Sequence, residues 1–300
     1  MIVVRFGVGM VRCPEVFFAD ILMQSPFNTF EAEVEAGQRF RFGRNWKRFL
    51  KNVGEESIKE ANSRLVQFLG QDLKGCEFLD IGSGLHSLAA RRMGANVTSF
   101  DFDPDSVAAT TLLKSHYMPG DLDWKIDSGS VLDKSYLARQ GQYDIVYSWG
   151  VLHHTGAMWD ALENIKPLVK PDGLLYIAIY NDRGETSQMW LKRKQRYCSL
   201  PDILKPFYFL YIYGPHEIKK LVKSIKRGKT SEYIDSWYAY KSSRGMTRVF
   251  DMIDWLGGLP YEFATVSTLS DFYEKDGFKL EKLIENPNTG CHELLFRLKQ

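Results

Sequence analysis

The sequence predicts an α/β fold: an open, twisted, mostly parallel sheet with helices on both faces, closed by an antiparallel strand hairpin. Three observations carry that expectation. Between residues 76 and 180, short apolar runs alternate with amphipathic stretches at a spacing that suits βαβ units. The first apolar run ends in Gly82-Ser83-Gly84 and the second ends in acids, as at nucleotide-type sites. The C-terminal segment reads helix, strand, turn, strand.

The elements follow in order. The first 22 residues, MIVVRFGVGMVRCPEVFFADIL, are apolar but contain acids and no clean cleavage site. Residues 1–27 therefore read as an extension and not as a secretory signal. Residues 28–74 read as a helical, aromatic-rich cap, in which FRFGRNWKRFL puts Phe42, Trp46 and Phe49 on one helical face. The core spans 75–182. CEFLDI is a buried strand, LHSLAARRMGA an amphipathic helix and NVTSFD a second strand. Asp103 caps the helix PDSVAATTLLKSHY, with Pro104 at its first position. LDWKID and YDIVYSW are the third and fourth strands, and 157–169 is helical. GLLYIAIY, set off by a proline and a glycine, is the fifth strand. From 183 to 262 the alternation stops and a helical insertion is expected. Residues 263–300 return to the sheet, with TLSDFYEKDG as a helix and GFKLEKLIE and CHELLFRL as a hairpin about PNTG.

Composition narrows the function classes. Three hundred residues at 44% hydrophobic content can bury a substantial core. Thirty-nine basic against 37 acidic side chains leave a net charge of +2, so no nucleic-acid partner is expected. The four cysteines, Cys13, Cys76, Cys198 and Cys291, are scattered without a CxxC pair, which suits a reducing cytoplasm. No apolar run approaches the roughly 18 residues of a membrane span. Cys291-His292-Glu293 is not read as a metal site, because consecutive strand residues point to opposite faces.

In such a sheet a ligand sits at the carboxyl ends of the strands, where strand order reverses. Glycines there let the backbone approach it, and the helix after them offers free N–H groups. Asp80, two residues before the first glycine, is unhelpful beside a pyrophosphate but suits an ammonium group. Asp101 lies 21 residues further on, where a carboxylate can accept both ribose hydroxyls. Asp103 is its rival and is better explained as the helix cap.

Taken together, LDIGSG, FDFDP, SGSVLD, YDIVYSWGVLHH and LVKPDGLLYIAIYND resemble the class I S-adenosylmethionine-dependent methyltransferases. The resemblance covers about 75–182 and 263–299. The FGRNW, RGM and DWLGGLPYE stretches look like those of a bacterial branch of methyltransferase-domain proteins, distantly similar to ubiquinone-pathway O-methyltransferases. It implies a Rossmann-like class I fold with a mostly parallel seven-stranded sheet, and S-adenosyl-L-methionine as cofactor. Asp80, Gly82 and Gly84 would hold its methionine end, Asp101 its ribose, and Phe102 would flank the adenine. Ser130 and Val131 would meet the adenine edge, although Phe102 and Val131 also suit a purely packing role. Trp149 and Gly150 would lie beside the sulfonium. One departure stands out. The family usually runs slightly longer from the first acid to the second and carries a third glycine, where this chain has Leu85-His86. Either the helix starts early or the loop is tighter, with His86 near the carboxylate.

Methyl transfer requires an acceptor in line with the sulfonium and excluded water, and a hydroxyl acceptor gains from a base. His153-His154 follows the fourth strand; His154 is expected to be the more exposed and the base, and His153 to pack inward. Asp182, two residues past the fifth strand, is the other candidate base. Trp190, Phe207, Tyr208, Tyr211, Trp237 and Tyr238 of the insertion are candidates to line an apolar acceptor pocket. The aromatic-then-basic stretch 203–229 suits peripheral contact with an anionic membrane. The reading is a methyltransferase acting on a small-molecule or lipid-linked acceptor, with oxygen as the acceptor atom. Its alternatives are a cofactor-binding protein without turnover and an RNA or protein methyltransferase.

Overall fold

The computed structural model describes residues 26–50, 53–70, 72–82, 84–244 and 248–299. Most of the N-terminal extension, Ser83 of the glycine turn, and Gly245 and Met246 of RGM lie outside the described residues. Helices α1 (Pro26–Glu35), α2 (Phe42–Leu50) and α3 (Glu55–Leu69) precede the sheet. The alternating core follows as β1 (Glu77–Ile81), α4 (Leu85–Arg92), β2 (Asn96–Asp101), α5 (Pro104–Tyr117) and β3 (Trp124–Ser128). It continues with α6 (Lys134–Leu137), β4 (Tyr143–Trp149), α7 (Met158–Asn164) and β5 (Val169–Tyr180). Next come α8 (Glu185–Ser199), α9 (Lys205–Lys226), α10 (Thr230–Arg244) and α11 (Arg248–Gly257). The chain closes with α12 (Val266–Glu274), β6 (Phe278–Ile284) and β7 (Cys291–Leu298).

The seven strands lie in the order β3-β2-β1-β4-β5-β7-β6. The first five pair in parallel, and β7 runs antiparallel to both β5 and β6. This is the mostly parallel, Rossmann-like seven-stranded sheet with a closing antiparallel hairpin that the sequence predicts, and its strand order reverses between β1 and β4. Alternate residues of each strand feed opposite core layers. Leu79 and Val146 join Leu162, Leu269 and Tyr273 on one side of the sheet. Phe78 and Ile145 join Leu65, Phe68 and Leu88 on the other. With helices on both faces, β1 and β4 read as near-continuous apolar runs.

Two local features depart from the sequence expectation. The fifth strand starts at Val169, upstream of the proline and glycine. Its pairing jumps from Tyr143↔Val169 to Ile145↔Leu174, so Pro171 to Gly173 form an excursion within the strand, with Asp172 at φ 62°. The second is the position of α1 and α2. They do not flank the sheet but lie across its carboxyl edge. An added Cβ at Gly43 would sit 2.5 Å from Ser106 N, so the first turn of α2 presses directly on the start of α5.

Candidate active site

The end of β1 is built around a buried carboxyl. Asp80 is 4% exposed, and its Oδ2 accepts a hydrogen bond from Ser87 Oγ at 2.5 Å. Burial pushes the Asp80 pKa up to about 7, and the bond from Ser87 opposes that shift. Ser87 is fully buried. Its Oγ also accepts from Gly84 N at 3.3 Å. Leu85-His86 stands in place of the third glycine, α4 begins directly after the turn at Leu85, and the serine just beyond holds the acid. His86 packs against Tyr147 with ring centroids 5.3 Å apart. Burial and nearby Arg64 push its pKa down to about 4.

Gly82 shows why this turn needs glycine. Its φ is +111°, and an added Cβ would lie 2.2 Å from Val151 Cγ2, so the loops after β1 and β4 touch across the strand reversal. At Gly84 and Gly150 the opposite holds: an added Cβ meets no atom within 4 Å, and the backbone borders open space.

The two acids after β2 have different partners. Asp103 Oδ1 accepts from Asp105 N at 2.9 Å, and its Oδ2 accepts from Gly43 N at 2.8 Å. Both oxygens are engaged, one capping α5 and one holding α2. Asp101 Oδ1 accepts from Asp103 N at 2.8 Å. Burial pushes the Asp101 pKa up to about 7, and the charges of Asp103 and Asp80 add to the shift. Phe102 is half-buried, with Phe30 edge-on at 5.6 Å and the Arg39 guanidinium 5.0 Å over its ring. Ser130 is half-buried and its Oγ accepts from Leu132 N at 3.2 Å. Val131, 5% exposed, belongs to the core with Phe100. Trp149 is half-buried against the core layer of Tyr147.

A roof covers this edge. Arg39 donates to the carbonyls of His154 at 2.8 Å and Thr155 at 3.2 Å while lying over Phe102. One side chain from before α2 therefore joins the loops after β2 and β4. Phe40 N donates to Leu259 O at 3.0 Å, which seats the N-terminal helices against the stretch after α11. Arg39 Nε also donates to Glu33 at 2.5 Å, but nothing in the local sequence signalled the bridge, because the carbonyls that it holds are distant.

His153 packs inward as expected, whereas His154 departs from expectation. His153 is 0% and His154 8% exposed. His154 Nδ1 donates to Pro260 O at 2.5 Å, and its ring lies 4.6 Å from that of Phe42. Burial pushes its pKa down to about 3. His153 Nδ1 accepts from Tyr180 N at 3.3 Å, and burial holds this ring neutral as well. The expectation of an exposed His154 acting as base is thus corrected: the roof buries this ring together with that of His153. Asp182 is half-buried, and its Oδ1 accepts from Gly184 N at 2.8 Å.

Beside the histidines, Tyr180 packs on Trp255 at 5.3 Å and on Tyr261 at 5.2 Å, and Trp190 on Trp255 at 5.5 Å. Lys194, fully buried, lies 4.3 Å from the Trp255 ring and donates to the Trp255 carbonyl. Of the six insertion aromatics expected at a pocket, only Trp190 joins this cluster. Phe207, Tyr211 and Tyr238 are 68%, 74% and 75% exposed, Tyr208 packs on Tyr197, and Trp237 on Tyr233. Trp255 and Tyr261, within DWLGGLPYE, take the place of the others. His292 Nδ1 accepts from Asn286 N and Glu293 from the Tyr176 hydroxyl, so those neighbours diverge. Among the described residues no three His, Cys, Asp or Glu side chains gather as a metal site.

A family model described as "Methyltransferase domain" matches residues 53–224, more than half of the chain. The chain belongs to this family. Its matched region is a methyltransferase domain. Over 132 residues it is 27% identical to a tRNA U34 carboxymethyltransferase of Methylococcus capsulatus, spanning 44% of this chain and 40% of that protein. The match thus covers less than half of that relative's length. A magnesium protoporphyrin IX methyltransferase from Synechocystis, solved with SAH, is similar at 12% identity and TM-score 0.49, covering 95% of this chain and 100% of the other. A 1,6-didemethyltoxoflavin-N1-methyltransferase from Burkholderia thailandensis is similar at 14% identity and TM-score 0.45, covering 98% and 94%.

The residues present fit the methyl donor. Two carboxyls that burial holds near pKa 7 stand at adjoining strand ends, suited to a cationic ligand with a ribose diol. After the first of them, Gly84, at positive φ, borders open space.

Proposed function

We propose that this methyltransferase acts on an oxygen of a small or lipid-linked acceptor held between the sheet edge and its roof. The observation that carries this reading is the enclosure itself. Arg39 bridges the two loops, and the Tyr180, Trp255 and Tyr261 cluster lies beside His153 and His154. An enclosed aromatic wall suits a compact apolar acceptor, and the net charge of +2 gives no general attraction to a polyanion.

When bound, the cofactor supplies an electrophilic methyl group. Asp80 would hold its ammonium, with Gly84 giving the backbone room to approach and Gly82 shaping the turn against Val151. Asp101 would accept the ribose hydroxyls, Phe102 flank the adenine, and Ser130 and Val131 meet its edge. Trp149 and Gly150 would stand beside the reacting end. The chain's own contribution is orientation and exclusion of water. His154, with a pKa of about 3 and Nδ1–H committed to Pro260, is a weak base and serves to seat the roof. Asp182 is left as the carboxylate at the acceptor side.

The similarity to a tRNA modifier favours a second reading, with RNA as acceptor. Incubating the protein with methyl-labelled cofactor and a cell extract, then separating organic-soluble, RNA and protein fractions, distinguishes the two. Label is expected in the organic-soluble fraction. Label in RNA would replace the proposal with the second reading.

A further inference from the structure

Helix α9 carries an apolar face that the other described residues do not cover. None of its residues is buried. Phe207, Leu210 and Tyr211 and, further along, Ile218, Val222 and Ile225 fall within one sector of the helical wheel and so form one stripe. They are 68%, 61%, 74%, 62%, 43% and 57% exposed. The helix is fastened by another face: the Tyr213 hydroxyl donates to Met252 O at 3.1 Å, and Arg248 pairs with Glu217 at 2.6 Å. That anchorage is what leaves the stripe facing outward. A contiguous stripe of this size on a water-exposed helix marks an interaction surface.

Charge identifies the partner. Between 219 and 229 stand Lys219, Lys220, Lys223, Lys226, Arg227 and Lys229, with no acid in the interval. All six are exposed, on a chain whose net charge is only +2. On the helical wheel Lys219 and Lys226 flank the stripe next to Val222. An apolar face edged by lysines is complementary to a layer with acyl chains beneath phosphate headgroups, and the lysine stems can reach outward to the phosphates. Among the described residues no helix is long and apolar enough to cross a membrane, so α9 would lie along the surface. We propose that α9 docks this enzyme on an anionic membrane surface, its stripe entering the headgroup boundary. The inference is independent of which acceptor is methylated.

The test is flotation of the full chain with vesicles of phosphatidylcholine alone or mixed equally with phosphatidylglycerol. The wild type should float with the mixed vesicles and stay behind with the neutral ones, and added salt should weaken the association. Lys219→Gln and Lys226→Gln should each lower binding about fivefold. Phe207→Ser combined with Ile218→Ser should abolish it, with melting temperature and cofactor affinity unchanged. Absence of flotation, or equal flotation with neutral vesicles, would overturn the proposal. So would a concentration-dependent dimer that the double variant disrupts, which would assign the stripe to a second copy of the chain.

Discussion

At the scale of single residues, the acids after β2 give the sharpest contrast. Asp103 spends both oxygens on backbone N–H groups, whereas Asp101, at the end of β2, accepts from Asp103 N and is the acid proposed to meet the ribose. Asp101→Ala should lower S-adenosylmethionine affinity at least about tenfold in calorimetry, since a bond to a charged group contributes about 1.5 to 3 kcal/mol. Its melting temperature should hold. Asp103→Ala should instead cost about 1 to 3 kcal/mol of stability through the lost cap and the bond to Gly43. An exchange of these two outcomes would reverse the assignment. Asp80 and Asp101 also predict a pH dependence. Each carboxyl titrates near pH 7 in the free fold against 3.8 unperturbed, so the fold holds extra protons between those values. The free protein should therefore lose stability as pH rises from about 4 to about 7. Cofactor affinity should move the other way and level off above pH 7, because a cationic ligand favours the ionised acids and releases their protons. Titration across that range checks both signs. His154→Ala should lower stability by on the order of 2 to 4 kcal/mol through a cavity and a lost bond. It should leave the pH profile of turnover unchanged. Asp80 and Asp101 were legible because strand ends and glycine turns are local signals. The burial of His154 was not, since Phe42 and Pro260 reach it from distant parts of the chain.

Among the elements, the N-terminal helices and the stretch after α11 act together as a lid on the strand ends. Arg39 is the point where that lid grips both loops, so Arg39→Ala should release it without touching the sheet. Cofactor dissociation, followed by stopped flow, should quicken about tenfold on loss of a charged hydrogen-bonded contact. An unchanged rate would mean that the grip is not coupled to the cofactor. Elements bounded by strong local chemistry were read to the residue: NVTSFD is β2, and PDSVAATTLLKSHY, opened by an aspartate cap and a proline, is α5. β5 began earlier than expected because its proline and glycine are stop signals that here shape an excursion between paired segments. The insertion resisted reading for a different reason. Its aromatics serve several unrelated faces, with Trp190 turned to the site and Phe207 and Tyr211 to the outside.

For the molecule as a whole, the alternation of strands and helices and the closing hairpin were legible, and with them the reversal between β1 and β4. The placement of α1 and α2 over that reversal was not, because it depends on contacts between segments far apart in sequence. The family match runs from 53 to 224 and so leaves out Arg39, Trp255 and Tyr261. Part of the wall proposed to meet the acceptor thus lies beyond the region that defines the family, and family membership alone does not name the acceptor. The cofactor is a different matter, since Asp80, Gly82, Gly84 and Asp101 all fall within the matched region. The most direct measurement of the central claim is a melting curve of the full chain with S-adenosylmethionine and, separately, with NAD. A ligand of the native state raises the melting temperature by mass action, by about 2.7 kcal/mol of stability at a hundredfold excess over its dissociation constant. S-adenosylmethionine should produce that rise and NAD should produce none; a rise with NAD alone would contradict the account.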